Sequence, residues 1–142
     1  MDTKFDQIDQ RIVALLKEYG IRLLQFSIGA VFVWFGLLKV AGISPAFELV
    51  ANTVYWVPPR LFVPFLGFWE VVIGLLLVFN RLKRLAILLL LLQMPGTMLP
   101  ILLLPDVVFT QFPIGLSLEG QYIAKNIVLI SAALVVGSTA RE

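Results

Sequence analysis

Apolar runs of about twenty residues alternate along this chain with short segments rich in proline, glycine and charge. The runs cover about residues 22–41, 61–80, 84–104 and 121–138, and a bilayer core asks for roughly 20 apolar residues per helix. Lipid offers no water to backbone groups, so these runs can only cross as helices. The pattern predicts an all-α fold, a four-transmembrane-helix bundle. Residues 4–19 follow a different rule. Phe5, Ile8, Ile12, Leu15, Leu16 and Tyr19 fall on one helical face, while Lys4, Gln7, Arg11 and Glu18 lie elsewhere. That spacing predicts an N-terminal amphipathic interfacial helix over residues 1–20. The alternative is a solvated extension running straight into the first span. Residues 1–142 read as a single integral membrane domain.

Basic residues predict the orientation. Lys4, Arg11, Lys17, Arg22, Arg81, Lys83, Arg84 and Arg141 belong to the N-terminal tail, the second loop and the C-terminus. The other two loops share only Arg60. This asymmetry places both termini in the cytoplasm and loops 42–60 and 105–120 outside. Tyr55, Trp56 and Tyr122 then form an outer aromatic belt. Ser44 and Pro45 predict the start of a short helix in the first outer loop, with Phe47, Val50 and Val54 at helical spacing and Pro58 and Pro59 ending it. The second outer loop, from Pro105 to Gly120, lacks Lys and Arg and reads either as a lid in the interface or as a plain connector. Asp2, Asp6, Asp9 and Glu18 argue against a secretory signal, so the first span is expected to act as the anchor.

Composition agrees with a membrane protein: 60% of residues are hydrophobic and the mean hydropathy is +0.97. Cysteine and histidine are both absent. Thiol chemistry, Cys or His zinc sites, haem ligation through His or Cys, and a Ser-His-Asp triad are therefore excluded. No metal site and no catalytic residue is expected, and a redox role needs a partner or a diffusible cofactor. No basic patch with interleaved aromatics points to nucleic acid.

Against this background the charges inside the spans stand out. The chain has 11 basic and 9 acidic residues, and Lys39, Glu70 and Lys125 fall within apolar helices. A charge at mid-membrane costs roughly 2.5–3.5 kcal/mol on insertion scales. On the first span Gln25, Gly29, Phe32, Gly36 and Lys39 share one face; on the second, Gly67, Glu70 and Gly74 do. Small residues let helices approach closely, so both stripes are expected to face the bundle interior. Gln93, Thr97 and Pro100 align on the third span, and Gln121 and Lys125 on the fourth, with Val128 and Ala132 below. Asn126 falls in another quadrant and reads as packing. Pro95, Gly96 and Pro100 interrupt the third span, freeing carbonyls that either line a cavity or serve packing alone.

At 1.5 Å per residue Glu70 lies about 13 Å below the outer edge, and Lys39 and Lys125 roughly 3–6 Å below it. Either lysine can reach Glu70 or snorkel outward. An ion pair at 4 Å is worth on the order of 4 kcal/mol at an effective dielectric of 20, comparable to the insertion penalty. Two lysines and one carboxylate leave about one positive charge, which favours an anionic or electron-rich ligand. The candidate ligand-binding or ion-pair cluster is Lys39, Glu70, Lys125 and Gln93, supported by Gln25, Gly36, Gly67, Gly74, Thr97 and Gln121.

The segments around these charges, RLLQFSIGAVFVWFGLLKV (Arg22 to Val40), FLGFWEVVIGLLLVF (Phe65 to Phe79) and LSLEGQYIAKNIVLI (Leu116 to Ile130), resemble the DoxX-like superfamily of small four-helix membrane proteins. The nearest branch is the YkgB type, associated with resistance to reactive chlorine species. The resemblance spans residues 20–138 and implies a four-helix bundle with recurring polar positions at Lys39, Glu70 and Lys125. Relatives in that superfamily are linked to thiosulfate:quinone oxidoreductase subunits and to complexes that counter oxidative stress. The first outer loop is shorter here than is usual in the YkgB branch.

The resulting expectation is a partner-dependent component of a redox or oxidative-stress system in the bacterial cytoplasmic (inner) membrane. Its polar site would take a quinone or another small ligand, with no intrinsic cofactor. Its partners would be the lipid bilayer, a membrane or periplasmic redox protein, and further copies of itself as a homo-oligomer. Two other readings are a structural or assembly subunit of a larger membrane complex and a small transporter. For the transporter, no inverted repeat is visible and four helices are few for alternating access.

Overall fold

The computed structural model describes residues 3–112 and 114–141. Helix α1 spans Lys4–Ala41. Thr3 opens it with a reciprocal capping box: its hydroxyl accepts the Asp6 N–H, and the Asp6 carboxylate accepts the Thr3 N–H. Gly42 closes it at φ 78, a left-handed conformation that glycine adopts without steric cost. No break separates an interfacial helix from the first span. The 38 residues form one rod of about 57 Å, nearly twice a hydrocarbon core. The interfacial helix expected over 1–20 is thus, among the described residues, the first half of a continuous helix, and residues 1 and 2 lie outside the description. Its apolar face stays uncovered by this chain: Phe5, Ile12 and Leu16 are all exposed.

Helix α2 spans Phe47–Thr53 and α3 spans Pro59–Val78. The expected loop helix is present, but the prolines act differently from expectation. Pro58 and Pro59 start α3, where a missing N–H and a preset φ suit the first turn. Helix α4 spans Lys83–Leu103 and keeps Pro95 and Pro100 inside one continuous helix. The prolines remove the helical donors to the Leu91 and Gly96 carbonyls without ending the helix.

The connection from 105 to 120 is folded, with residue 113 outside the description. Helix α5 (Pro105–Val108) leads into a small antiparallel hairpin of β1 (Phe109–Gln111) and β2 (Gly115–Leu116). Helix α6 (Leu118–Ala124) follows, capped by Ser117, whose hydroxyl accepts the Gly120 N–H. The same hydroxyl donates to the Val107 carbonyl, and the Ser117 N–H donates to Val108. Helix α7 (Asn126–Gly137) continues after Lys125. This hairpin is the one departure from an all-α chain among the described residues.

Four helical units are long and apolar enough to cross a membrane: Lys4–Ala41, Pro59–Val78, Lys83–Leu103 and Leu118–Gly137. They match the expected spans, and the architecture is that of a multi-pass membrane helix bundle. The core joins Ile28 and Phe32 of α1, Ile73 and Leu77 of α3, Leu90 and Met94 of α4, and Ala133 and Val136 of α7.

Helices α1 and α3 pack through two pairs of glycines. A methyl group built on Gly36 would lie 2.5 Å from the Gly67 carbonyl oxygen, and one on Gly67 would lie 2.6 Å from that of Gly36. Gly29 and Gly74 repeat the arrangement seven residues away. At the far end, Gln25 Nε2 donates to the Leu77 carbonyl and to Asn80 Oδ1, both at 2.9 Å.

Overpacking a tight contact costs about 1–3 kcal/mol, so Gly36→Ala should lower the thermal unfolding midpoint of the purified protein in detergent. Gly96→Ala, where nothing lies within 4 Å of the new methyl, should leave it unchanged or raise it. Equal losses at both positions would contradict the packing described.

Candidate functional site

The glycine contact determines what comes next along each helix. Lys39 lies one turn past Gly36, and Glu70 one turn past Gly67. The Lys39 Cβ occupies the space that Gly67 leaves open, 2.7 Å from where a Gly67 methyl would stand. The lysine stem is thus held against α3, and its ammonium reaches the carboxylate one turn on. Lys39 Nζ donates to Glu70 Oε2 at 2.8 Å and to Oε1 at 3.1 Å. Both residues are buried, at 3% and 7% exposure.

Helix α4 adds a third group. Gln93 Nε2 donates to Glu70 Oε1 at 2.8 Å. The amide orientation follows from this bond, since turning it over would face its oxygen toward a carboxylate oxygen. The other end of the amide, Gln93 Oε1, is buried and has no hydrogen-bond partner among the described residues.

Lys125 does not pair with Glu70. Its ammonium donates to Asn126 Oδ1 at 3.3 Å and stands 4.3 Å from the Tyr122 ring centroid and 5.8 Å from that of Phe35. Aromatic faces attract cations, so this lysine is held between rings instead of by a counter-ion.

Two cavities meet at the cluster. The larger, about 290 Å³, lies between α2, α3, α4 and α6. Phe62, Phe65, Leu66, Trp69 and Leu92 supply its apolar walls, with Lys39, Glu70, Gln93, Thr97 and Tyr122 as polar lining. Its rim includes Phe65 and Leu92, which are exposed on the outer surface of the helices at 57% and 61%. The cavity therefore opens sideways between α3 and α4. The smaller, about 50 Å³, lies between Phe32, Phe35, Met94, Lys125 and Asn126. Glu70, Gln93, Thr97 and Tyr122 line both.

Lys39, Glu70 and Gln93 converge as the sequence indicates, and Thr97 lines both cavities while donating to the Met94 carbonyl at 2.7 Å. Gly36, Gly67 and Gly74 serve the packing that positions the pair. Four expectations are corrected. Gln25 is buried but lies fourteen residues from Lys39, where it ties α1 to the end of α3. Gln121 is exposed and takes no part. Asn126, read as packing, is buried at 5% and joins the cluster through Lys125. Tyr122, assigned to an aromatic belt, turns inward to both cavities. Trp69 is also unforeseen; its Nε1 donates to the Leu89 carbonyl at 3.2 Å, fixing the ring as a cavity wall. The stripe of Tyr122, Asn126, Leu129 and Ala133 at helical spacing was the available signal, one residue off the face drawn through Lys125.

No family model, curated protein or solved structure matches this chain. The site is therefore read from its own chemistry. Among the described residues no group of His, Cys, Asp or Glu could hold a metal ion. The arrangement can bind and orient a ligand with an apolar body and a polar edge.

Removing one partner of a buried ion pair leaves an uncompensated charge and costs about 3–5 kcal/mol, whereas replacing both by apolar groups is often neutral. Lys39→Met and Glu70→Gln should each destabilise the bundle by about that amount in denaturation measurements. The double variant Lys39→Met/Glu70→Gln should be less damaged than the sum of these two single variants. Strict additivity would show that the two groups do not depend on each other.

Proposed function

We propose that this protein is a DoxX-like component of a bacterial redox or oxidative-stress system, and that its cavity binds a quinone-like ligand drawn from the bilayer. The observation that carries the reading is the apolar cavity open between α3 and α4, with Lys39, Glu70 and Gln93 along its polar side. Small-molecule sites combine apolar walls with a few placed polar groups in this way. An engineered cavity of ~150 Å³ takes up benzene, so about 290 Å³ admits one substituted ring with its tail left outside.

The positive-inside asymmetry supports an inner-membrane orientation with both termini cytoplasmic, which places the cavity in the outer half of the bilayer. The chain has no cysteine or histidine, so in this reading a membrane or periplasmic partner exchanges electrons with the bound ligand. The protein's own part is to hold the ring, exclude water from it and set its polar edge against the buried pair.

Trp69 lines the cavity, while Trp34 and Trp56 are exposed. In a variant carrying Trp34→Phe and Trp56→Phe, a short-tailed quinone should quench the remaining tryptophan with saturation. Glu70→Gln and Lys39→Met should weaken that binding at least several-fold and lower survival under oxidative stress. If both variants bind quinone and survive as the parent does, the reading fails.

A further inference from the structure

The first half of α1 carries a narrow apolar seam. Phe5, Ile8, Ile12, Leu15 and Tyr19 recur at alternating spacings of three and four residues, the heptad pattern of a coiled coil. All five are more than half exposed, and Leu16 beside them is 65% exposed. The face that packs into the bundle, with Gln25, Ile28 and Phe32, lies roughly 130° round the same helix. The seam therefore looks away from the other three spans. Phe26, seven residues past Tyr19, carries it into the membrane-crossing half and is exposed as well.

We propose that a second copy of this chain covers this face, the two α1 helices pairing in parallel through the seam. The register favours that occupant. Ile12 and Leu15 give the middle of the seam a β-branched residue at position a and a leucine at position d, the combination that favours two strands. The flanking charges agree. Lys4 falls at position g and Asp9 at position e of the following heptad, and in a parallel pair these positions face each other across the interface. Lys4 of each copy thus meets Asp9 of the other, and twofold symmetry makes the contact twice. Every copy in one membrane has the same orientation, so two such rods run parallel.

The bilayer surface is the other candidate cover. It would require α1 to turn sharply beyond its span, yet the helix is unbroken through Gly20. Residues 4–19 also carry three cations and three anions, so no net charge draws them to anionic headgroups. Two seams with their flanks offer on the order of 1,200 Å², where specific interfaces begin. Two heptads are short for a free coiled coil. Here the span already nucleates each helix, and the membrane confines both copies to one plane, which lowers the entropic cost of pairing. No seam residue lines either cavity, so pairing and ligand binding can be tested separately.

The chain contains no cysteine, so single introduced cysteines can report the seam in the full-length protein. In liposomes at a high lipid-to-protein ratio, Ile8→Cys and Leu15→Cys should form linked dimers under mild oxidation. Gln10→Cys and Lys17→Cys, on the far face, should link at least several-fold less. Equal linkage at all four positions would indicate chance collision and overturn the proposal. Absence of linkage at Ile8→Cys and Leu15→Cys would overturn it too, and quenching of a dye on Leu15→Cys by lipid-borne spin labels would then assign the seam to the bilayer surface. Energy transfer between differently labelled copies gives a second readout. Lys4→Asp should lower the dimerisation constant about two- to tenfold, and Lys4→Asp/Asp9→Lys should restore it. A double variant that pairs no better than Lys4→Asp would overturn the parallel register.

Discussion

Where Gly36 meets Gly67, two helix backbones approach so closely that neither has room for a methyl group. In lipid there is no hydrophobic force to press helices together, so association rests on van der Waals fit and on polar contacts between them. Two such glycine contacts, seven residues apart on both α1 and α3, fix how far the helices slide and how each is turned. Rotation of α1 by one residue would carry Lys39 about 100° away from α3. The ion pair is a consequence of the packing and also a check on it, because any other register strands a buried charge.

Helix α4 is attached by other means. Trp69 donates to one of its carbonyls and Gln93 reaches across to Glu70, both near the middle of the helix. Beyond Gln93, Gly96 has no side chain to pack and nothing lies within 4 Å of where its methyl would stand, so the wall is thin there. Gly96 lines the larger cavity, and α2 closes it from the loop side through Leu49 and Val50. The carboxylate that the Gly36–Gly67 contact positions and the space beside Gly96 thus line one cavity.

Much of this is written in the sequence because one periodicity rules it. The buried face of α1, including Gln25, Gly29, Phe32, Gly36 and Lys39, is the stripe that helical spacing draws, and Glu70 with Gly67 and Gly74 follows the same rule on α3. The fourth span was harder to read. Two of its three charged or amide residues, Gln121 and Lys125, draw a face that the structure does not bury. Tyr122, Ile123, Asn126 and Ala133 face inward instead, and Lys125 joins the cluster through its Nζ, against the Tyr122 ring and the Asn126 amide. Polarity alone misleads here, because a lysine at a helix end can bend toward either side. Nor does a helical wheel reveal which end of a helix a glutamine serves. Gln25 and Lys39 share a face and lie at opposite ends of it. The folding of residues 105–120 was illegible for a different reason: a hairpin of five strand residues depends on contacts such as Ser117 with Val108, not on any repeat.

The two cavities share Glu70, Gln93, Thr97 and Tyr122 as a common partition. On one side lies the larger cavity, on the other a small space beside Lys125. Charge is distributed unevenly across this partition. Lys39 is neutralised by Glu70 at 2.8 Å, while Lys125 has two aromatic faces and an amide in place of a carboxylate. The partition itself carries both kinds of polar group, the Glu70 carboxylate that accepts and the Tyr122 hydroxyl that can donate, so charge and not hydrogen-bonding sense distinguishes its two sides.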